Sequence, residues 1–524
     1  MRSARLVLAV VTASFWGAAM PARAAFDPVE KSIGEIETAL ASGRTTSAAL
    51  VAAYERRIAE LNPRLRAVIA LNPDALAEAH MADIARAAGH AQGPLAGVPL
   101  LIKDNIETAD PLPTTAGSNA LRDNVTRRDA PIVARLRAAG AVILGKTNLS
   151  EWANIRSAHS LSGWSAVGGQ ARNPYALDRS TCGSSAGSAA AAAASLAASA
   201  VGTETDGSIT CPAAINGLVG LKPTVGLLSR THIVPISHTQ DTPGPMTRDV
   251  RDAALLLQAM AGADPADPAT AEADARKTDY LAALRPDALK GARIGVMRWA
   301  AGFHPETDEA FERALQALRT AGATVIDVEA PPTAPADVRR AEQMVLMTEL
   351  KADLATYLAT TDPARVKVRT LADVIAFNAA HAKSEMPLFA QDLFETAEKT
   401  GGLADPAYLR AKADAHRLAG PEGIDAALAA QRLDALVAPT LGPAWLIDPV
   451  LKDRSLGGGA GSAAAIAGYP HLTVPMGLAN GLPVGLSFIG PAWSEARLLG
   501  YGFAYEQATH ARTPPTYRET STAE

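Results

Sequence analysis

The chain has 524 residues, 48% hydrophobic, 20% charged and 5% aromatic, with a formal net charge of −5. This is ordinary globular composition with ample core. The mildly negative charge gives no sign of recognition of nucleic acid or an anionic membrane. The first element is a leader rather than part of the fold. Arg2 and Arg5 precede an apolar stretch, Leu6 to Met20, and Ala22-Arg23-Ala24 fits an A-x-A cleavage site. Residues 1–24 therefore read as a signal peptide, residues 25–524 as the mature chain, and the protein as exported to the periplasm or secreted. An uncleaved anchor is disfavoured because the apolar run is short for a span, so no stable membrane association is expected after cleavage. Arg2 and Arg5 are not adjacent, which argues against twin-arginine export.

Glu30 to Ala59 reads as two helices broken near Gly43, with Thr45-Thr46-Ser47 capping the second. Leu65 to Leu71 reads as a strand and Pro73 to Ala88 as a helix. Val98 to Ile102 is apolar at every position, as in a strand covered on both faces. Lys103 continues this run. Alternate side chains of a strand share a face, so Lys103 points with Leu101 and Asp104 points the other way with Ile102. The nearest acid then cannot pair with Lys103. A buried, unpaired lysine has its pKa lowered towards a value useful for a base. The competing reading is a strand-end lysine that reaches solvent.

Ala130 to Ala139 reads as a helix and Ala141 to Gly145 as a strand. Helix alternating with strand implies a parallel or mixed sheet with crossovers. Ser160 to Thr181 is a long loop rich in Gly, Ser and Asn. Next comes a charge-poor stretch, Cys182 to Thr224, in which the turns Gly183-Ser184-Ser185-Ala186-Gly187 and Asp206-Gly207-Ser208 flank an Ala-rich run. That run, Ser188 to Ala200, reads as a helix by propensity and lacks a polar stripe, so it must be buried all round. So many small hydroxyls and glycines in one buried stretch imply that backbone approaches something closely. The two cysteines, Cys182 and Cys211, both lie here. In an exported protein they could form one disulfide, and the alternative is two small buried thiols. No Cys/His spacing suggests a metal.

Gly262 to Ala275 reads as a surface linker. Arg293 to Met297, Glu306 to Ala321 and Thr324 to Val328 read as a βαβ unit. Pro335 to Ala429 reads as mostly helical, and Leu433 to Thr440 as a strand.

The motifs Gly183-Ser184-Ser185-Ala186-Gly187, Gly202-Thr203-Glu204-Thr205-Asp206-Gly207-Ser208 and Gly220-Leu221-Lys222-Pro223-Thr224 resemble those of the amidase signature family. So do the Lys103-Asp104 pair after Gly97-Val98-Pro99, Lys146 to Ala153, and the pattern from Ala467 to Gly490. GTETDGSITCPAAING, with Ile236-Ser237 and QDTPGPM (Gln240 to Met246), is most similar to the peptide amidase branch. The resemblance implies an α/β fold: a single large α/β/α domain with a mixed central sheet covered by helices. The signature core would span about 95–250, and a helical substrate-entrance region about 335–430. It implies Ser208 as nucleophile, Ser184 as a bridging serine behind a cis Gly183–Ser184 bond, and Lys103 as base and then acid. The main-chain N–H groups of Thr205, Asp206, Gly207 and Ser208 would form the oxyanion hole, with Ser185 and Gly183 in supporting roles. No cofactor or metal, no nucleic acid and no obligate protein partner are implied. The implied substrate is a small-molecule or short peptide amide, the C-terminal carboxamide of a peptide first and a broader aliphatic or aryl amide or ester second.

Three positions depart from the family's usual pattern: Glu204 stands for Asp, Asp206 for Gly and Thr210 for Arg. Asp206 puts a carboxylate near the oxyanion hole, where its charge opposes an anionic transition state unless it faces away or binds a substrate group. Two rivals remain. One is a Ser-His-Asp hydrolase with Ser185 in a G-x-S-x-G elbow and His159, His232 or His238 as base, but that elbow needs a strand immediately before it, and Arg172 to Cys182 reads as loop. The other is a non-catalytic binding protein, which the joint presence of Lys103, Ser184 and Ser208 argues against.

Overall fold

Apolar runs bounded by Gly, Pro and Asn fold here into strands covered on both faces. The computed structural model describes residues 26–91, 93–330 and 335–521. The segment expected to be a leader and its cleavage site lie outside the described residues. Thirteen strands follow the chain among them. They are β1 (Val68–Leu71), β2 (Pro99–Lys103), β3 (Val142–Thr147), β4 (Trp164–Ser165), β5 (Gly169–Gln170), β6 (Ser199–Glu204), β7 (Val219–Lys222), β8 (Thr242–Thr247), β9 (Arg293–Met297), β10 (Thr324–Val328), β11 (Ala435–Pro439), β12 (His471–Ala479) and β13 (Leu482–Ile489). Eleven of them form one sheet in the order β1-β3-β2-β6-β8-β7-β12-β13-β11-β9-β10, and β4 pairs with β5 apart from it. The sheet is mixed, as expected. β2 runs parallel to both β3 and β6, and β9 runs parallel to β10 and β11, while β6, β7, β8, β12 and β13 pair antiparallel.

Helices cover both faces, and one contiguous core runs from Ile33 to Tyr505. The first two helices, Ile33–Ala41 and Ser47–Leu65, are broken where expected, and Thr46 caps the second through Ala49 N–H. The second helix continues to Leu65, so the strand begins only at Val68.

The Ala-rich run departs from expectation. Its helix spans Ala186–Ala193 and is fully buried, but the chain then turns at Ser195 (φ 54°) and Ser199–Glu204 becomes β6. Helix propensity loses to a central place between β2 and β8, where small residues fit a strand covered on both sides. β8, with sequence TPGPMT, carries no strand signal because proline is disfavoured inside a sheet. Its prolines are tolerated because β7 pairs only with Met246 and Thr247, beyond both of them. The Gly262 to Ala275 segment is docked rather than a free linker. Asp264 accepts hydrogen bonds from Ser229 Oγ (2.6 Å) and Thr231 Oγ1 (2.5 Å), Asp267 is ion-paired with Arg230, and two short helical turns follow.

Residues 335–430 are mostly helical, as expected, and pack Leu354, Tyr357, Val374 and Phe394 into a second core shared with Ala116, Leu121, Trp152 and Val234. A polar clamp joins this layer to the sheet. His238, in the segment leading to β8, has Nδ1 2.9 Å from the Asp353 carboxylate and Nε2 3.3 Å from Glu349, and Tyr408 donates to Glu349 at 2.6 Å. Among the described residues no helix is long and apolar enough to cross a membrane.

Candidate active site

Lys103 is the last residue of β2 and is fully buried. Its ammonium nitrogen lies 2.7 Å from Ser184 Oγ, 3.0 Å from Ser185 Oγ, 2.8 Å from Thr203 Oγ1 and 3.3 Å from the Thr203 carbonyl. The alternation argument holds. Asp104 turns away, accepts from the Thr115 hydroxyl, and has Lys146 as its nearby cation. Burial therefore acts on Lys103 without a contacting acid. It pushes the amine down to about 7, against a partial upward pull from the Asp241 and Glu204 carboxylates.

Two turns converge on this lysine. The first follows the loop 171–182, in which no strand forms, so the chain lacks the strand that a G-x-S-x-G elbow requires. The Gly183–Ser184 peptide is cis. A Cβ on Gly183 would lie 2.2 Å from Ser150 Oγ and would displace that hydroxyl, which accepts from Gly163 N–H at 2.8 Å. Ser150 N–H in turn donates to the Ser184 carbonyl. Ser185 is fully buried, accepts from Thr203 N–H (3.1 Å) and donates to the Thr203 carbonyl (2.9 Å), which is a structural position rather than an exposed one.

The second turn, Thr205 to Ser208, leaves the end of β6. Ser208 is 8% exposed, and its carbonyl accepts from Ser185 N–H at 3.2 Å, which ties the two turns together. Gly207 adopts φ +77°, and a Cβ there would meet nothing within 4 Å, so the turn faces open space. Among the described residues, the main-chain N–H groups of Asp206, Gly207 and Ser208 have no recorded intramolecular acceptor. A run of free N–H groups beside a hydroxyl is the arrangement that stabilises an anion.

The two unusual acids have separate places. Glu204 is buried and accepts from the N–H groups of Ile209 (2.7 Å) and Thr210 (2.9 Å) and from Thr210 Oγ1, so it fixes the chain just after Ser208. Asp206 points outward and accepts from Ser462 Oγ at 2.7 Å. Its side chain is exposed to solvent. The surrounding protein pushes its carboxyl up to about 6, the Ser462 hydrogen bond opposes this, and Glu204 adds to it.

Several residues of the site carried no role in the sequence reading. Thr203 bridges Lys103 to Asn105, whose Nδ2 donates to Thr203 Oγ1 at 3.0 Å. Asp241 accepts from Thr205 Oγ1 (2.6 Å) and from the N–H groups of Ile236 and Ser237. Gln240 Nε2 lies 3.3 Å from the Thr205 carbonyl and 3.1 Å from Glu342. The sequence signal for Gln240 and Asp241 is their place in the QDTPGPM segment, but nothing in it states what they touch. A cavity of about 350 Å³ is lined by Asn105, Thr203, Thr205 and Asp241, and by neither Ser184 nor Ser208.

Cys182 and Cys211 form a disulfide with Cα atoms 6.1 Å apart. It joins the residue before Gly183-Ser184 to the helix Thr210–Ile215 that follows Ser208. A loop of this length is worth roughly 3–4 kcal/mol in the chain-entropy account. Reduction with a phosphine, or Cys182→Ser with Cys211→Ser, is expected to lower the thermal midpoint by a few degrees and to reduce kcat, since the bond holds the two serine turns in register. Differential scanning calorimetry alongside an amidase assay checks both effects.

The chain matches the Amidase family model over residues 49–499. It is 40% identical over 503 residues to a probable amidase of Arabidopsis thaliana, covering 94% of this chain and 92% of that one. Among solved structures it is similar to the native peptide amidase from Stenotrophomonas maltophilia, with 55% identity and a TM-score of 0.89 over 93% of this chain and 99% of the other. A peptide amidase in complex with the competitive inhibitor chymostatin matches at 56% identity and a TM-score of 0.89, over the same shares.

Proposed function

The chain belongs to the amidase family and is an amide hydrolase; from that premise we propose that it removes ammonia from the C-terminal carboxamide of peptides, using Ser208, Ser184 and Lys103. One observation carries the catalytic part. A fully buried lysine with its amine near 7 lies 2.7 Å from the hydroxyl of Ser184, beside the turn that carries Ser208.

In this reading Ser208 Oγ attacks the carboxamide carbon. Its proton passes to Ser184 Oγ as the Ser184 proton passes to neutral Lys103. The oxyanion forms against the N–H groups of Thr205 to Ser208. The relay then runs backwards, the lysine proton reaches the leaving nitrogen through Ser184, and ammonia departs to leave an acyl ester on Ser208. Water repeats the cycle and releases the free acid. Ser185, held by Thr203, fixes the position of Lys103 and does not relay protons. The peptide substrate is supported by the peptide amidases among the similar structures. A broader aliphatic or aryl amidase, with esterase activity, is the second reading.

The leader pattern also supports an exported enzyme, and the disulfide fits an oxidising compartment.

The test is ammonia release from a short peptide amide by the mature protein, beside the same peptide as free acid, with all fragments followed by mass spectrometry. The expected result is ammonia together with the amide-to-acid mass shift at the C-terminus only. Turnover of simple aliphatic or aryl amides but not of the peptide amide would move the substrate to the second reading.

A further inference from the structure

Asp206 is a costly residue in its place. It lies two positions before Ser208, in the turn whose N–H groups face open space, and an anion there disfavours a second anion on the substrate carbonyl. The surroundings of the side chain show why the charge is tolerated. The side chain is exposed to solvent and accepts one hydrogen bond, from Ser462 Oγ, the residue preceding the short helix Ala463–Ile466. A carboxylate has about four acceptor directions on two oxygens, so most of its capacity is unused by the protein.

The groups around it leave Asp206 as the exposed anion of this turn. Glu204 is occupied with Ile209 and Thr210. Glu342, 6% exposed on the helix Pro335–Ala359, is pushed up to about 8 by burial and by Asp206, so it is protonated at neutral pH. Lys222 is fully buried and donates to the Pro223 carbonyl. An exposed, acceptor-only group beside the nucleophile selects a substrate that brings a donor. A peptide amide has such a donor one carbon from the scissile carbonyl, the backbone N–H of its last residue. A simple carboxylic amide has none.

We infer that the Asp206 carboxylate, held by Ser462, accepts the backbone N–H of the residue whose carboxamide is cut, and so selects peptidyl amides over simple amides. This rests on the peptide-amide reading and names the group that enforces it.

The test compares N-acetyl-phenylalanine amide with its N-methyl analogue, which differs by that one N–H donor, using the wild type, Asp206→Ala and Asp206→Asn. The quantity read is the ratio of kcat/KM for the two compounds within each protein, since the Asp206 main chain also belongs to the proposed oxyanion turn. A hydrogen bond to a charged acceptor predicts a wild-type ratio of about 10 to 100. The ratio should fall several-fold in Asp206→Ala and stand between the two in Asp206→Asn, which retains a neutral acceptor and the side-chain shape. A ratio in Asp206→Ala equal to that of the wild type overturns the inference while leaving the peptide-amide reading intact. No ammonia from either compound with the wild type, beside turnover of simple amides, means the peptide-amide reading has failed and this inference with it.

Discussion

Ser208→Ala is expected to lower kcat for amide hydrolysis by about 10⁴-fold or more, with the thermal midpoint within a degree or two of wild type. Removal of a serine nucleophile from a relay leaves only substrate binding and the oxyanion donors, and losses of this size are characteristic. The fold has no reason to follow. The turn is held by main-chain contacts that alanine keeps: the Ser208 carbonyl to Ser185 N–H, the Gly207 carbonyl to Cys211 N–H, and Glu204 to the N–H groups of Ile209 and Thr210. Loss of one hydroxyl at a position 8% exposed makes no large cavity and strands no charge. Steady-state ammonia release with calorimetry on the same sample separates the two effects, and near-wild-type turnover would remove Ser208 from the chemistry.

Lys103→Met is expected to be nearly inactive and to lose the low-pH limb of the rate profile. The base must be the neutral amine. At its ordinary value near 10.5, about one amine in 3,000 would be neutral at pH 7. Burial brings the folded-state value to about 7, so the neutral form predominates above pH 7. Asp241 and Glu204 are the charged groups that bear on it, and both favour the protonated form. Wild-type kcat/KM should therefore rise about tenfold per pH unit below 7 and level off above it. An acid limb with no break near 7 would contradict the assignment.

Stability carries the opposite sign. Lys103 is protonated in the unfolded chain up to about 10.5 and neutral in the fold down to about 7. Its penalty on folding is therefore absent above the first value, grows as pH falls, and is full below the second. That penalty is about 5 kcal/mol. It is offset in part by the hydrogen bonds to Ser184, Ser185 and Thr203, at roughly 1 kcal/mol each. Lys103→Met should thus melt at or above the wild-type temperature at pH 6, and a marked loss of stability there would show that burial does not depress the Lys103 amine.

The site was legible in the sequence to the extent that its residues sit in local patterns. An apolar run ending in Lys103 and two Gly/Ser turns are local signals, and alternation along β2 was enough to separate Lys103 from Asp104. What escaped depends on distant pairing. The end of the Ala-rich run reads as helix because such sequence favours helix in isolation, yet the helix stops at Ala193 and Ser199 and Ala200 open β6, where the place between β2 and β8 decides. β8 was invisible because its prolines break the strand rule in a position that β7 happens not to reach. Thr203, Asn105 and Asp241 had no assigned role for the same reason, since their contacts arise where β6, β8 and the segment after β2 meet. The disulfide was undecidable from sequence because the separation of two cysteines 29 residues apart is set by the fold. Glu204 and Asp206 both read as anomalies, and only their hydrogen bonds distinguish an acid that braces the turn from one that faces the substrate.

Three serines, Ser184, Ser185 and Ser208, lie within one hydrogen-bonded neighbourhood, and the account assigns the attack to one of them. The most direct measurement is covalent labelling with a serine-directed fluorophosphonate, followed by peptide mapping of the modified residue. The account predicts a single adduct on Ser208, formed faster above pH 7 than below it and absent in Ser208→Ala. An adduct on Ser185 or Ser184, or no adduct on an enzyme that still releases ammonia, would contradict it.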